Sequence, residues 1–200
     1  SMAIVVEHEK RKREILEKSL DIFVEEGYED VTFQKIADRC GITRTTLYIY
    51  FKNKQELFLW SIKQLTQGLE TALLVVANDQ KLSSQEQLHQ ICTKIIDTCM
   101  DNKKLFNIIL IYLLQLQKMG KDPGDRVRRR VLRLRHLLST ILIAGMKKGE
   151  FRKINVKAAN EMFYGLIQST IFRLAILDQE SIEELNASFD LAIEGILNPS

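Results

Sequence analysis

The chain has few of the residues that interrupt helices, and it has no long hydrophobic run. Its 200 residues include only two prolines and nine glycines. Because both residue types disfavour helix interiors, their scarcity favours a helical chain. The longest apolar stretch, residues 108–114, is far shorter than the roughly 20 residues of a membrane-spanning helix. No segment alternates with a period of two for long enough to predict a strand. These absences predict an all-α protein without a membrane segment.

Cysteine and histidine are also scarce. Cys40, Cys92 and Cys99 are odd in number and form no CxxC motif, which disfavours a disulfide framework and predicts reduced thiols. The three histidines are scattered, and none has a second ligand at metal-binding spacing. The N-terminus becomes charged at once and shows no signal peptide. The sequence therefore predicts a cytoplasmic protein with no metal site.

The net charge of +3 is too small to predict a nucleic-acid partner, but the charges are unevenly distributed. Residues 31–63 hold six basic side chains and two acidic ones, whereas residues 17–30 are acidic apart from Lys18. Such a separation of charge favours a polyanion on one face. A solvated helical surface would explain the charges alone about equally well.

Helical periodicity and polar breaks predict the organisation of the chain. Polar breaks occur at residues 78–85, 119–125, 147–155 and 178–181. A long helix is expected from about Lys54 into the 70s, and four further apolar-rich segments follow, one of them expected to divide in two. The pattern predicts a series of helices, and 200 residues are enough for one sizeable core or for a small domain joined to a larger one.

Residues 32–51 have the pattern of a helix-turn-helix. Thr32 and Thr43 each precede a predicted helix, where a hydroxyl can cap backbone N–H groups. Gly41 supplies the turn, and Ala37 is small where two helices would cross closely. Helical hairpins with a glycine turn are common, so the pattern by itself is a moderate signal.

The second helix of this pair places unusual side chains on its outside. At 100° per residue, Leu47 and Phe51 form the buried edge. The opposite side carries a mixed set: Thr45, Thr46, Tyr48 and Ile49. Hydroxyl groups can bond base edges or phosphates, and an isoleucine can contact a thymine methyl group. Arg44, on the first turn, can reach guanine or the backbone. Such a helix suits the major groove of double-stranded DNA.

Residues 32–58, TFQKIADRCGITRTTLYIYFKNKQELF, resemble the DNA-binding head of the TetR family of bacterial transcriptional regulators. The run LYIYFKNKQELF is the most specific part, and the resemblance covers about residues 10–60. It implies a nine-helix protein with a DNA-binding domain, residues 1–55, and a larger helical domain for effector binding and dimerisation, residues 56–200. It also implies a homodimer on a near-palindromic operator and a pocket for a small-molecule effector in the larger domain. The implied function is a ligand-responsive DNA-binding regulator, expected to act as a repressor.

The same resemblance implies which side chains contact DNA. Those implied to lie toward bases or nearby phosphates are Gln34, Arg44, Thr45, Thr46 and Tyr48. Those implied to hold the phosphate backbone are Thr32, Tyr50 and Lys54. Many members have glycine or another small residue where Thr45 stands, so this second threonine is expected to alter which base is read.

The larger domain contains candidates for an effector pocket and for a dimer interface. Residues 103–118 are strongly apolar with few polar groups, which suits a lipophilic effector. The candidate pocket residues are Trp60, Phe106, Tyr112, Gln115, Phe163, Gln168 and Phe172. Wide apolar stripes on the last two helices suggest a four-helix interface, with candidates Ala158, Met162, Gly165, Ser169, Phe189 and Ile193. A single-chain bundle core would explain these stripes nearly as well.

Residues 126–135 contain six arginines and could form a second basic patch. The apolar residues between them make an amphipathic stripe, so a solvated helix face is favoured over an anionic ligand or partner.

Two other classes of function compete with a DNA-binding regulator. An enzyme on a helical bundle has no support, since the chain lacks a Glu-x-x-His pair, a G-x-S-x-G motif and a glycine-rich phosphate loop. No catalytic residue and no cofactor is therefore predicted. A helical protein-interaction module without DNA binding would leave the outward Tyr48 and Ile49 unexplained.

Overall fold

Nine helices form in the part of the chain that the structure describes. The computed structural model describes residues 1–122 and 124–199, apart from the side chain of residue 126. The helices are α1 (Met2–Glu26), α2 (Phe33–Cys40), α3 (Arg44–Tyr50), α4 (Lys54–Ala77), α5 (Ser84–Asp101), α6 (Lys103–Lys118), α7 (Asp125–Lys147), α8 (Val156–Ala175) and α9 (Glu183–Ile196). The structure is 78% helical, which confirms the predicted all-α class. Pro123, in the predicted break at 119–125, lies outside the described residues.

The chain divides into two compact units, Ser1–Gly68 and Leu69–Ser200. The first unit holds α1 to α3 and the first part of α4, and the second unit holds the remaining helices. The functional boundary at residues 55 and 56 stays a prediction, since it concerns what each part binds. None of the described helices is both long enough and apolar enough to cross a membrane.

Aromatic side chains pack the first unit. Phe23 of α1 and Phe58 of α4 are both fully buried, and their rings meet edge to face with centroids 4.8 Å apart. The Tyr28 ring lies 5.0 Å from the Phe58 ring. Helix α2 packs against both α1 and α3. Helix α1, which is part of this core, therefore supports α2, and α2 in turn supports α3.

Helix α5 is the centre of the second unit, because it packs against α7, α8 and α9. Its buried apolar face follows helical spacing and includes Leu88, Ile91, Ile95 and both of its cysteines. Burial raises the pKa of the Cys92 thiol and of the Cys99 thiol to about 12. Both cysteines therefore stay protonated and act as small apolar core residues.

A close backbone approach ties the end of α7 to the C-terminal segment of the second unit. Phe151 follows α7 and forms an isolated antiparallel bridge with Leu197. Its ring packs directly on Gly145, where a Cβ added to the backbone would lie 2.2 Å from the ring. Only a residue without a Cβ allows this contact.

Candidate nucleic-acid interface

Two hydroxyl caps and a glycine turn build the α2–α3 pair. The Thr32 hydroxyl accepts a hydrogen bond from the Lys35 N–H at 3.2 Å, and the Thr43 hydroxyl accepts one from the Thr46 N–H at 3.1 Å. Gly41, between the helices, has a left-handed backbone with φ of 66°, which glycine adopts without a steric penalty. The predicted caps and turn are confirmed.

Helix α3 is held from one side and open on the other. Leu47 is fully buried, as are Ile36 and Ala37 of α2. Ile49, about 200° further around the helix, is 69% exposed, and Tyr48 is 48% exposed. The predicted division of α3 into a buried edge and an outward face is therefore present.

The Tyr48 side chain is supported on two sides. The Arg44 guanidinium donates a hydrogen bond to the Tyr48 hydroxyl at 3.3 Å. The Tyr48 ring lies 4.8 Å from the Phe33 ring, so contacts within its own unit restrict this side chain. Phe33 is not among the predicted site residues, since the contact depends on how α2 and α3 pack and has no signal in sequence spacing.

The other residues predicted to face bases differ in whether their side chains already make hydrogen bonds within the chain. Thr45 is exposed. The Thr46 hydroxyl lies 2.9 Å from the Thr43 hydroxyl, so part of its hydrogen-bonding capacity is used within the turn. The Gln34 amide donates to the Asp38 carboxylate at 2.8 Å. Their contacts with DNA stay predictions.

Each of the residues predicted to hold phosphates already contacts other groups of the first unit. The Tyr50 ring stacks on His8 of α1 with centroids 4.7 Å apart. The Lys54 ammonium donates to the Tyr28 carbonyl at 2.9 Å and lies 4.4 Å from the centre of the Tyr28 ring. The Thr32 hydroxyl accepts the capping bond of α2. Their phosphate contacts likewise stay predictions.

Part of the positive charge of this region is neutralised by α1. Lys35 pairs with Glu26 at 3.1 Å, and Arg39 pairs with Glu25 at 2.8 Å. The hydrogen bond from Arg39 lowers the pKa of the Glu25 carboxyl. Among the described ion pairs none involves Lys52, which is exposed. The positive charge available to a polyanion is therefore concentrated around α3 and the residues that follow it.

Helix α6, which carries three candidate pocket residues, is apolar but poorly covered. Only Leu105 and Tyr112 are buried in the described structure of this 16-residue helix. Phe106 and Gln115 are half-buried, and Leu114 is 56% exposed. An apolar surface of this kind could be covered by a ligand or a partner.

The remaining candidate pocket residues lie in different surroundings. Phe163 of α8 is fully buried, whereas Phe172 of the same helix is 51% exposed, and Gln168 is also exposed. Trp60 belongs to the first unit, where the Lys12 ammonium lies 4.4 Å from its ring centroid. The grouping of these residues around one effector stays a prediction.

An open groove of about 430 Å³ lies in the second unit. It is lined mainly by polar side chains of α5 and α9: Gln85, Glu86, His89, Gln90, Asp190, Ile193 and Glu194. The His89 imidazole and the Asp190 carboxylate are 3.0 Å apart. None of the candidate pocket residues lines this groove, and its polar, acidic wall does not suit a lipophilic effector.

The candidate interface residues fall into two groups. Four lie on α8: Ala158 and Met162, which are exposed, and Gly165 and Ser169, which are half-buried. Phe189 and Ile193 of α9 are each 3% exposed, because they belong to the core cluster of their own chain. These two side chains thus pack α9 against the core of its own chain. The dimer interface itself stays a prediction.

Four of the six arginines of residues 126–135 pair with acidic groups of their own chain. The pairs are Arg128 with Asp122 and Asp125, Arg130 and Arg133 with Glu70, and Arg135 with Glu161. The Arg126 side chain lies outside the described residues. This pairing agrees with a solvated helix face.

The chain is similar to known bacterial regulators. A family model described as bacterial regulatory proteins, tetR family, matches residues 15–59. The fatty acid metabolism regulator protein of Bacillus subtilis is 24% identical over 200 residues, covering 94% of this chain and 99% of that protein.

Two solved structures share the fold. A TetR transcription regulator from Haloarcula marismortui has a TM-score of 0.82 at 18% identity, covering 94% of this chain and 99% of that one. The transcriptional regulator FadR from Bacillus subtilis, in complex with stearoyl-CoA, has a TM-score of 0.68 at 23% identity, covering 91% and 97%.

The family match includes the whole helix-turn-helix, from the Thr32 cap to the end of α3. The exposed side of α3 meets the geometric requirement for a recognition helix, since one edge is anchored and the other is open. Residues 15–59 thus form a DNA-binding domain of the tetR family of bacterial regulatory proteins, and the chain is a ligand-responsive, DNA-binding transcriptional regulator.

Proposed function

We propose that this regulator reads a near-palindromic operator through the exposed side of α3. The observation that carries the proposal is the contrast on α3 between one buried anchor, Leu47, and an outward face that includes Tyr48 and Ile49. A helix held this way can enter a major groove without disturbing its own packing. Residues 1–55 would bind DNA, and residues 56–200 would bind the effector and the second subunit.

The proposed contacts divide by what each side chain can reach. Side chains assigned to bases and nearby phosphates are Gln34, Arg44, Thr45, Thr46 and Tyr48. Side chains assigned to phosphates are Thr32, Tyr50 and Lys54. The support for Tyr48 is its contact with Arg44 and Phe33, because a phenol that is already restricted loses less side-chain entropy on binding.

Tyr48→Ala and Lys54→Ala should both weaken operator binding. One lost contact of about 1–3 kcal/mol corresponds to roughly a 5- to 150-fold loss of affinity for Tyr48→Ala. Lys54→Ala should in addition make the dependence of log affinity on log salt shallower by about one, because one phosphate contact is lost. Fluorescence anisotropy with an operator duplex at several salt concentrations measures both effects.

Lys94→Ala is the matched control for charge, since Lys94 is an exposed lysine on α5 of the second unit. Thermal unfolding of Lys54→Ala checks the fold, because its ammonium also donates to the Tyr28 carbonyl. Operator binding that is unchanged in both variants would remove these residues from the interface.

The second subunit would cover the exposed apolar side of α8 and α9. Met162 of α8 is 40% exposed, Ile176 directly after α8 is 41% exposed, and Leu191 of α9 is 70% exposed. An apolar surface of this kind favours association. A homodimer places two copies of α3 in successive major grooves, about 34 Å apart or a multiple of that distance. The operator would then have matching half-sites.

The effector would be lipophilic, and a long-chain acyl-CoA is the class that we propose. The support from this chain is α6, whose apolar side chains are mostly only half-buried, with Ile111 and Leu114 exposed. The support from relatives is that one of them is a fatty acid metabolism regulator and another binds stearoyl-CoA. Effector binding would release the operator, so the regulator would act as a repressor.

Stearoyl-CoA should bind the purified protein and weaken its affinity for the operator by about 5- to 150-fold, the range of a coupling free energy of about 1–3 kcal/mol. By reciprocity, the operator should weaken stearoyl-CoA binding by the same factor. Titration calorimetry with and without operator duplex measures both directions. Equal affinities in the two titrations would contradict the allosteric proposal and leave DNA binding intact.

Two controls locate the acyl chain. Coenzyme A without an acyl chain should not weaken operator binding. Ile109→Gln changes a half-buried position of α6, whereas Leu114→Gln changes an exposed position of the same helix. Only Ile109→Gln should weaken stearoyl-CoA binding, and equal losses in both variants would argue against an effector site beneath α6.

The proposal places the protein in the cytoplasm, where bacterial DNA lies, and it includes no enzymatic step. The relatives with which it aligns over most of its length are named as regulators.

A further inference from the structure

One apolar side chain stands on the outward face of α3. Ile49 is 69% exposed, while its neighbours on this face have polar groups. Tyr48 is supported by Phe33 and Arg44, and Thr46 is bonded to Thr43. Ile49 therefore offers a rigid, branched hydrocarbon surface to whatever this face contacts.

The charges around Ile49 favour DNA as the occupant of this face. Arg44 opens α3, and Lys52 follows its end as an exposed cation. Thr45, one turn before Ile49, is also exposed and can donate or accept hydrogen bonds. An apolar side chain on a short helix that begins with an arginine, exposes hydroxyl groups and is followed by a lysine suits a polyanionic groove that contains isolated apolar groups, rather than an extended apolar protein surface.

The major groove contains one such apolar group. Among the four unmodified bases only thymine presents a C5-methyl group there, whereas cytosine has a hydrogen atom at the same ring position. 5-Methylcytosine carries the same methyl group at the same ring position. A branched aliphatic side chain on a recognition helix can therefore distinguish a methylated pyrimidine from an unmethylated one by burying the methyl group.

We propose that Ile49 reads the C5-methyl group of one pyrimidine in each operator half-site, which is thymine in unmodified DNA. The proposal rests on the DNA-binding function through α3. It makes Ile49 a specificity-determining residue, whereas the polar side chains around it supply hydrogen bonds. Removal of the methyl group should cost about fourfold in affinity per half-site, since burial of one CH₂-sized group is worth roughly that much.

The test begins with operator selection from a random DNA pool by the wild-type dimer. Each thymine of the selected half-site is then replaced by deoxyuridine, which lacks only the methyl group. The affinity of the wild-type protein for the operator should fall about fourfold when deoxyuridine replaces thymine at one position of each half-site. At that position cytosine and 5-methylcytosine are compared as well, and the methylated base should bind more tightly.

The same duplexes are then titrated with Ile49→Ala, with Ile49→Val, and with Ile143→Ala, which alters an isoleucine on α7 that is 42% exposed. Ile49→Ala should bind thymine and deoxyuridine equally at the critical position. Ile49→Val should keep most of the preference for thymine over deoxyuridine, and Ile143→Ala should keep all of that preference. Thermal unfolding should be unchanged in Ile49→Ala, because the side chain is exposed.

Three results would overturn the proposal. If the wild-type protein selects an operator and its affinity is unchanged by deoxyuridine at every position, recognition of the methyl group is contradicted, whereas DNA binding through α3 is not. A preference for thymine that survives in Ile49→Ala would assign the reading to another residue. A wild-type protein that selects no DNA would defeat this proposal together with the DNA-binding function on which it rests.

Discussion

Leu47→Ala should abolish operator binding and lower the free energy of unfolding of the first unit by about 2–5 kcal/mol, the usual cost of truncating a buried leucine. Leu47 is fully buried, and it is the buried residue of α3 among those described. A helix of seven residues is not stable in isolation. Loss of its anchor should therefore release the recognition surface as well as reduce stability.

Urea unfolding followed by the fluorescence of Trp60 measures this effect, because Trp60 is the chain's single tryptophan and lies in the first unit. Ile49→Ala is the matched control, since it shortens an aliphatic side chain of the same helix at a position that is 69% exposed. Protein concentration is kept constant, because a dimer's stability depends on it. Similar midpoints for the two variants would show that Leu47 does not anchor α3.

Gly145→Ala should destabilise the second unit by about 3 kcal/mol, at the upper end of the usual cost of overpacking a core. The added Cβ would lie 2.2 Å from the Phe151 ring. That ring is 2% exposed, and the adjacent backbone is held by the hydrogen bond from the Arg152 N–H to the Ile196 carbonyl at 2.9 Å. The ring therefore cannot move aside cheaply.

Gly195→Ala provides the comparison, since nothing lies within 4 Å of its added Cβ and alanine is preferred to glycine within a helix by about 1 kcal/mol. Thermal unfolding followed by far-ultraviolet circular dichroism should show a lower midpoint for Gly145→Ala and an equal or higher midpoint for Gly195→Ala. If Gly145→Ala were as stable as Gly195→Ala, Phe151 would have to be able to repack.

Local sequence is sufficient to predict the recognition element. Thr32 and Thr43 are predicted as caps because a hydroxyl before a helix bonds to backbone three residues away, and both bonds are present. Gly41 is predicted at the turn, and its left-handed backbone confirms it. Helical periodicity separates Leu47 from Ile49, and their exposures differ accordingly. All of these depend on neighbours within one or two turns.

Contacts between distant residues are not predictable in the same way. Nothing in sequence spacing indicates that Phe33 supports Tyr48, or that the Lys54 ammonium bonds to the Tyr28 carbonyl. The apolar stripe of α9 suggests a dimer interface, yet Phe189 and Ile193 are buried within their own chain. A helical stripe shows that a face is apolar, but not which surface covers it.

The sequence by itself determined the helical class, the caps, the turn and the outward face of α3, because hydrogen bonds and periodicity within a few residues decide each of them. Only the tertiary structure decided which groups meet across the chain. It placed Phe33 behind Tyr48, and it brought Phe151 onto Gly145. These contacts depend on how helices cross and on the exclusion of atoms from the same space, and neither is encoded in the spacing of residues along one helix.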